Sequence, residues 1–595
     1  MEKYKSRKDV PEKYKWDLSD FYKDDNDFDT SFNKTVNDVK SLGSYVGCTK
    51  DANKLYEFLV KDNIVSSSVL NLYAYAYLIC DLELGVSKSL ERKSKTEKLY
   101  ADYANAVSFF EPELLKLNKE EYESLYKLDK LKEFKFGLDK IYRNKEHILT
   151  QNEEIIVNEL TTAMDHFSDM SATMLNQEHD YGKVIIDGKE QTITSTNYRN
   201  LMKNNDRSLR KEIREKYSKV LSQYSNSAAQ FLDAYVKENV ALCKIRKHKS
   251  CFDAKLFNYN LSPMVFEALV NTVEKNRSAF QRYLRIFRKV HNLDELHPYD
   301  LFLDFAKSDK KYSVEEASEL CLNAVKPLGE EYYNRFKKIF DNKYIDYAEY
   351  KGKRSGAYSF ATNDKDSRIL MSFNNDLESV STIIHEGGHN VHHQFVKDSN
   401  PIHYRDTSSF VAEVASLTNE CLLSSYLANN GTNKEEKLSG IANIIDVIIS
   451  NLFGAVREGH MEQDFYKYVE DGGTITTDYM DELTKKYIDL ANGNEVVRDE
   501  YSYVSWIRRS HYFMFFYLYS YAICISVASY IAGEILNGNN EVLNKYIEFL
   551  KIGCDVWPQD AFKVLGVDLC EPLVYEKAIK YFNDLLDKFE EIYNS

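Results

Sequence analysis

From Asp17 to about Leu175, apolar residues recur at intervals of three and four, as in VLNLYAYAYLICDLEL at 69–84. That spacing lines one face of a helix, and with Pro nearly absent it predicts long helices packed as hairpins. The period changes first at KVIIDGKEQTIT (183–194), where β-branched runs flank Asp187 and Gly188. A DG pair in that setting predicts a β-hairpin. The hairpin also marks a boundary between an N-terminal helical lobe, 1–200, and a second domain, 201–595. Helical spacing resumes at Arg207, with charge pairs one turn apart in SLRKEIREKYSKV, and runs to about Phe340. A second β-prone island covers YIDYAEYKGKRSGAYSF (344–360) and RILMSFN (368–374). After residue 376 the pattern is helical to the end, with breaks at 428–433, 470–474, 491–494 and 566–568.

The stretch from Tyr512 to Gly533 holds 22 residues without a charge, enough to cross a bilayer. It carries five Tyr, three Ser and a Cys, which are costly to place in hydrocarbon. A buried helix lining a cavity is therefore expected, with no membrane partner.

Composition narrows the picture further. A chain of 595 residues exceeds what one hydrophobic core supports, so two or more lobes are expected. Scarce Gly (22) and Pro (8) fit a mainly α protein with few tight turns. The formal charge of −15 excludes nucleic acid as the main partner, because phosphate binding requires a basic face. Nine dispersed Cys without a CxxC pair read as buried thiols of a reducing compartment. Without an apolar stretch near the N-terminus, a cytoplasmic location follows.

The candidate chemistry lies in STIIHEGGHNVHHQF (381–395). His385 and His389 are four apart, so on a helix both imidazoles reach one ion from the same face. Zn2+ suits two neutral imidazoles and a carboxylate, with one position left for water. Glu386 is placed to take that water's proton and deliver it to the leaving amine. Gly387 and Gly388 each cost a helix about 1 kcal/mol against Ala, so close approach of another backbone or of substrate is expected there. SSFVAEVASLTNECL (408–422) supplies the third ligand, Glu413, on an otherwise apolar helical face where a carboxylate without a counter-charge is costly. Glu420, His392 and His393 either hydrogen-bond the ligands or are ordinary surface groups.

In VPEKYKWDLSDFY, RILMSFNNDLESVSTIIHEGGHNVHH, FVAEVASLTNE, SWIRRSHYFMFFYLYSYA and FLKIGCDVWPQDAFKVLGVDL, the chain resembles the oligoendopeptidase F branch of the thimet-oligopeptidase-like zinc metallopeptidases, nearly end to end. The resemblance implies His385, His389 and Glu413 as zinc ligands and Glu386 as general base. It also implies a two-lobed helical bowl with a deep channel for short oligopeptides, and a small β-sheet beside the zinc that pairs with a peptide backbone. His511 and Tyr519, with Tyr512 as a further equivalent, correspond to residues that donate hydrogen bonds to the substrate and the oxyanion. The branch commonly carries an acid where this chain has Ser379; here the carboxylate is the preceding Glu378. The function expected is zinc endopeptidase. The alternatives are a peptidyl dipeptidase or carboxypeptidase, in which Arg508 and Arg509 either capture a terminal carboxylate or are surface charges, and a non-catalytic peptide-binding protein. Oligomeric state is not readable from the sequence.

Overall fold

The computed structural model describes residues 4–164 and 166–595. Helices dominate, as the three-and-four spacing predicts, and group into two compact units, each built from three separated stretches of chain. The first unit comprises 1–146, 309–426 and 531–566; the second comprises 147–308, 427–530 and 567–595.

In the first unit, helices Asp25–Leu42, Ala52–Leu82 and Ser87–Val107 pack around a core containing Phe28, Phe58, Leu72 and Leu99. The N-terminal stretch is tied to much later sequence by polar contacts. Arg7 reaches the Asp346 carboxylate at 2.7 Å, and the Asp17 amide donates to the Lys343 carbonyl at 2.9 Å. Beneath that join, the fully buried Lys353 ammonium is neutralised by Asp346 at 2.7 Å and donates to the carbonyls of Asp346, Ala348 and Met371. This is how a buried charge becomes tolerable.

The predicted hairpin is present in the second unit. Strands β1 (Lys183–Ile186) and β2 (Lys189–Thr192) pair antiparallel, and Asp187 and Gly188 have φ of 51° and 74°, the left-handed pair of a type I′ turn. The second island folds in the first unit as a three-stranded sheet. Strand β3 (Ile345–Asp346) runs parallel and β4 (Tyr358–Phe360) antiparallel to the central β5 (Arg368–Leu370), whose three residues are buried. β4 is an edge strand and packs against the helix Leu377–Ser399.

The uncharged run is not one helix from Tyr512, which corrects the expectation. Ser510–Phe513 forms a 3-10 turn, Phe515 and Phe516 take left-handed φ of 37° and 53°, and the helix Leu518–Leu536 starts after them. The Phe516 amide donates to the buried Glu462 carboxyl at 2.8 Å, which holds the strained pair. By length and composition, Ala52–Leu82, Lys434–Glu470 and Leu518–Leu536 could each cross a membrane; 78% of the apolar window of the last is buried inside the structure. Seven of the nine Cys are buried.

Candidate metal centre

Two helices of the first unit carry the cluster. Leu377–Ser399 starts where Asp376 caps it, accepting from the Ser379 amide at 2.9 Å. The Ser409–Asn430 helix crosses beside it. Gly388 explains the approach of these two helices, and Gly387 that of the helix Gly329–Asp341. A Cβ at Gly388 would lie 2.7 Å from the Ser416 Cα and 2.9 Å from the Ala415 carbonyl oxygen, and one at Gly387 would lie 2.6 Å from the Phe336 ring. Side-chain bonds fix the crossing: the Asn419 amide donates to the Ile384 carbonyl at 3.1 Å, and the Tyr332 hydroxyl donates to Asn419 Oδ1 at 2.9 Å.

With the helices so placed, one ligand atom each from His385, His389 and Glu413 falls within 4.8 Å of the others. Glu413 Oε2 stands 3.5 Å from His385 Nε2 and 3.4 Å from His389 Nε2, and also accepts from the Ser416 hydroxyl at 2.9 Å. Glu420 is 2.6 Å from His385 Nδ1. That bond places a proton on Nδ1 and leaves the Nε2 lone pair for a cation, the usual support for a metal-binding imidazole. Burial works against a charged His385, yet Glu420 and the two other carboxylates outweigh it and lift its pKa to about 9. The cluster thus concentrates negative charge around two imidazoles, which suits a divalent cation. Glu386, 9% exposed, lies on the same helix, and burial pushes its carboxyl up.

The open alternatives resolve. Glu420 hydrogen-bonds His385, whereas the His393 ring donates through Nε2 to the Lys365 carbonyl at 3.1 Å, and His392 is buried and stacked on Phe549. Burial lowers the His392 pKa to about 3. Glu378 is exposed and Ser379 serves the helix start, its hydroxyl donating to Asp376 at 2.7 Å. Sequence reasoning missed Ser416, although its position one turn after Glu413 was the available signal.

His511, Tyr512 and Tyr519 belong to the second unit. His511 and Tyr521 line a cavity of about 670 Å³ there, with ring centroids 6.1 Å apart. Tyr512 and Tyr519 are both fully enclosed, at 0% exposure. Tyr512 donates to Glu458 Oε2 at 2.8 Å. Tyr519 packs against Phe266 and Gly459, and among the described residues its hydroxyl has no hydrogen-bond partner. Glu458 also binds Arg457 at 2.8 Å and both arms of Arg509 at 3.0 Å, so Arg509 is committed internally. Arg508 lies over the Tyr198 and Tyr217 rings. Burial acts to raise the Glu458 pKa, but the two guanidiniums and the Tyr512 hydroxyl bring it down to about 2.

The sequence profile described as Peptidase family M3 matches residues 200–581, more than half of the chain. The chain belongs to peptidase family M3. A second profile, described as Oligopeptidase F, matches residues 113–178. Relatives of this M3 peptidase include oligopeptidase PepF of Bacillus subtilis, 30% identical over 98% of this chain and 88% of its own length. Group B oligopeptidase PepB of Streptococcus agalactiae is 28% identical over 99% of this chain and 98% of its own length. Among solved structures, a candidate peptidase from Chlamydophila abortus superimposes with a TM-score of 0.92 at 26% identity, covering 99% of this chain and all of that one. Oligoendopeptidase-F from Enterococcus faecium gives 0.72 at 24% identity, covering 96% and 99%, and shares the fold. As a member of this family the chain is a metallopeptidase, and the described donor set fits a divalent metal ion.

Proposed function

We propose that this M3 peptidase is a zinc-dependent endopeptidase that hydrolyses internal bonds of short, unfolded oligopeptides. The observation that carries the reading is the convergence of His385, His389 and Glu413 within 4.8 Å beside Glu386, with Glu420 fixing the His385 tautomer. Two imidazole nitrogens and one carboxylate form a donor set that suits zinc. When bound, the ion supplies a Lewis acid that acidifies water and polarises the scissile carbonyl.

The chain's own residues do the rest. Glu386, buried beside the ligands, accepts the proton of the attacking water and returns it to the departing amine nitrogen. Ser416 donates a hydrogen bond to Glu413 Oε2, which orients the carboxylate. β4, an edge strand, offers backbone groups to an extended peptide, so binding need not depend on side-chain sequence. The names of the PepF and PepB relatives support oligopeptides as the substrate class, and a cytoplasmic site of action is part of the same proposal. The division into 1–200 and 201–595 is likewise supported by the family match beginning at residue 200.

Donor roles for His511, Tyr512 and Tyr519 toward a bound peptide rest on the family resemblance, and His511 has the best support because its ring lines open volume. Tyr519→Phe tests the enclosed ring: a lower kcat with an unchanged KM supports a donor to the oxyanion, and unchanged kcat makes it packing. The endopeptidase reading is tested by mapping products from a short peptide blocked at both ends. Internal cleavage supports it. Cleavage confined to peptides with a free C-terminus would establish the carboxypeptidase alternative, and binding without cleavage a peptide-binding protein.

A further inference from the structure

The first unit contains a second cavity, of about 610 Å³, among helices Ala52–Leu82, Ser87–Val107, Phe110–Lys116 and Lys135–Tyr142. None of the metal-centre residues lines it. Its volume is that of a small-molecule site, and three Phe and three Tyr rings stand among its lining residues. Phe58 and Phe110 stand with ring centroids 5.0 Å apart, Tyr100 and Tyr103 at 6.5 Å, and Phe134 is stacked on His403. Tyr100, a lining residue, is 50% exposed.

Charge decides what such a cavity accepts. Its lining contains two carboxylates, Asp62 and Glu111, and no Lys or Arg. Asp62 accepts the Tyr103 hydroxyl through Oδ1 at 2.8 Å, and among the described residues its carboxylate forms no ion pair. The neighbouring Lys61 is turned to Asp38 at 2.8 Å. His403 adds no positive charge: its Nδ1 faces the Asn63 amide at 3.1 Å and so accepts from it, and burial lowers its pKa. Burial also pushes the Asp62 carboxyl up, a cost that a cation alongside it would remove. Aromatic faces attract cations as well, through the negative charge on the ring. A carboxylate set among aromatic rings, in a lining without cations, therefore complements one kind of ligand: an apolar body carrying an ammonium group.

We propose that this cavity is a binding site for small hydrophobic ammonium compounds, with Asp62 as the anion and the Tyr100, Tyr103, Phe58 and Phe110 rings as the apolar wall. The site stands apart from the metal centre and does not depend on the endopeptidase reading.

The probes are phenethylammonium and its neutral counterpart, 2-phenylethanol, titrated calorimetrically into the full-length protein and into Asp62→Asn. The expected result is saturable binding of one phenethylammonium per chain. Binding is weakened about ten- to hundredfold both by Asp62→Asn and by exchanging the ammonium for the hydroxyl, the cost of losing a charge-assisted contact. Tyr100→Ala weakens it further. Should Asp62→Asn fail to fold, the two ligands on the unaltered protein decide alone: equal affinities overturn the proposal. It is equally overturned by the absence of saturable binding at millimolar ligand, or by full binding to a folded Asp62→Asn protein.

Discussion

At the residue scale, the cluster depends on partners as much as on ligands. Glu420 lies two turns beyond Glu413 in sequence, yet it is the group that sets the His385 tautomer. Glu420→Ala is expected to weaken metal affinity about ten- to hundredfold while the fold persists, measured by competition with a zinc indicator. Unchanged affinity would remove Glu420 from the site. Glu458 shows a different dependence. Its carboxyl is held at about 2, below the ordinary 4.5, so its pairing stabilises the folded state fully above pH 4.5 and is lost as pH falls toward 2. The stabilisation amounts to about 3 kcal/mol. Urea unfolding of the parent and Glu458→Gln should therefore show a gap that is constant near neutrality and narrows below pH 4.5; a gap independent of pH would show that the ion pairs contribute nothing. The convergence of His385, His389 and Glu413 was legible in the sequence because HEGGH places two imidazoles one turn apart on a helix. The enclosure of Tyr512 and Tyr519 was not, because a tyrosine in an apolar run reads the same whether its hydroxyl is aimed at a ligand or sealed in a core.

At the element scale, periodicity served well where one face was apolar. The helices, the 183–194 hairpin and the two later strand runs all follow from local pattern. It failed at 512–517, where uniform apolarity left no period to read, and two left-handed phenylalanines break the run before the helix begins. Glycine in the HEGGH helix was legible as a sign of close approach, though not of which backbone approached. Gly388→Ala puts a methyl group under 3 Å from the Ser416 backbone, where no flexible side chain can yield. The two helices must separate, at a cost of about 1–3 kcal/mol, and the ligand atoms move apart with them. Both a lower melting temperature and weaker zinc binding are expected. Gly387→Ala meets the rim of a phenylalanine ring and should cost less in metal affinity, which isolates the effect of the helix crossing.

At the scale of the whole molecule, each compact unit draws on three separated stretches of chain, an interleaving that local pattern does not announce. Contacts such as Arg7 with Asp346 and Asp17 with Lys343 join residues more than 300 positions apart, and composition carries no trace of them. Family membership, by contrast, was recoverable from motifs spread over the full length, because the helix pair carrying His385, His389 and Glu413 and the late tyrosine-rich segment are each chemically distinctive. What unites these scales is the claim that one metal ion, held by His385, His389 and Glu413, works with Glu386 on a peptide bond. The most direct test compares the protein with Glu386→Gln for metal content and for cleavage of an internally quenched, end-blocked peptide. The account predicts one zinc per chain in both and cleavage by the parent alone, whereas undiminished cleavage by Glu386→Gln would contradict it.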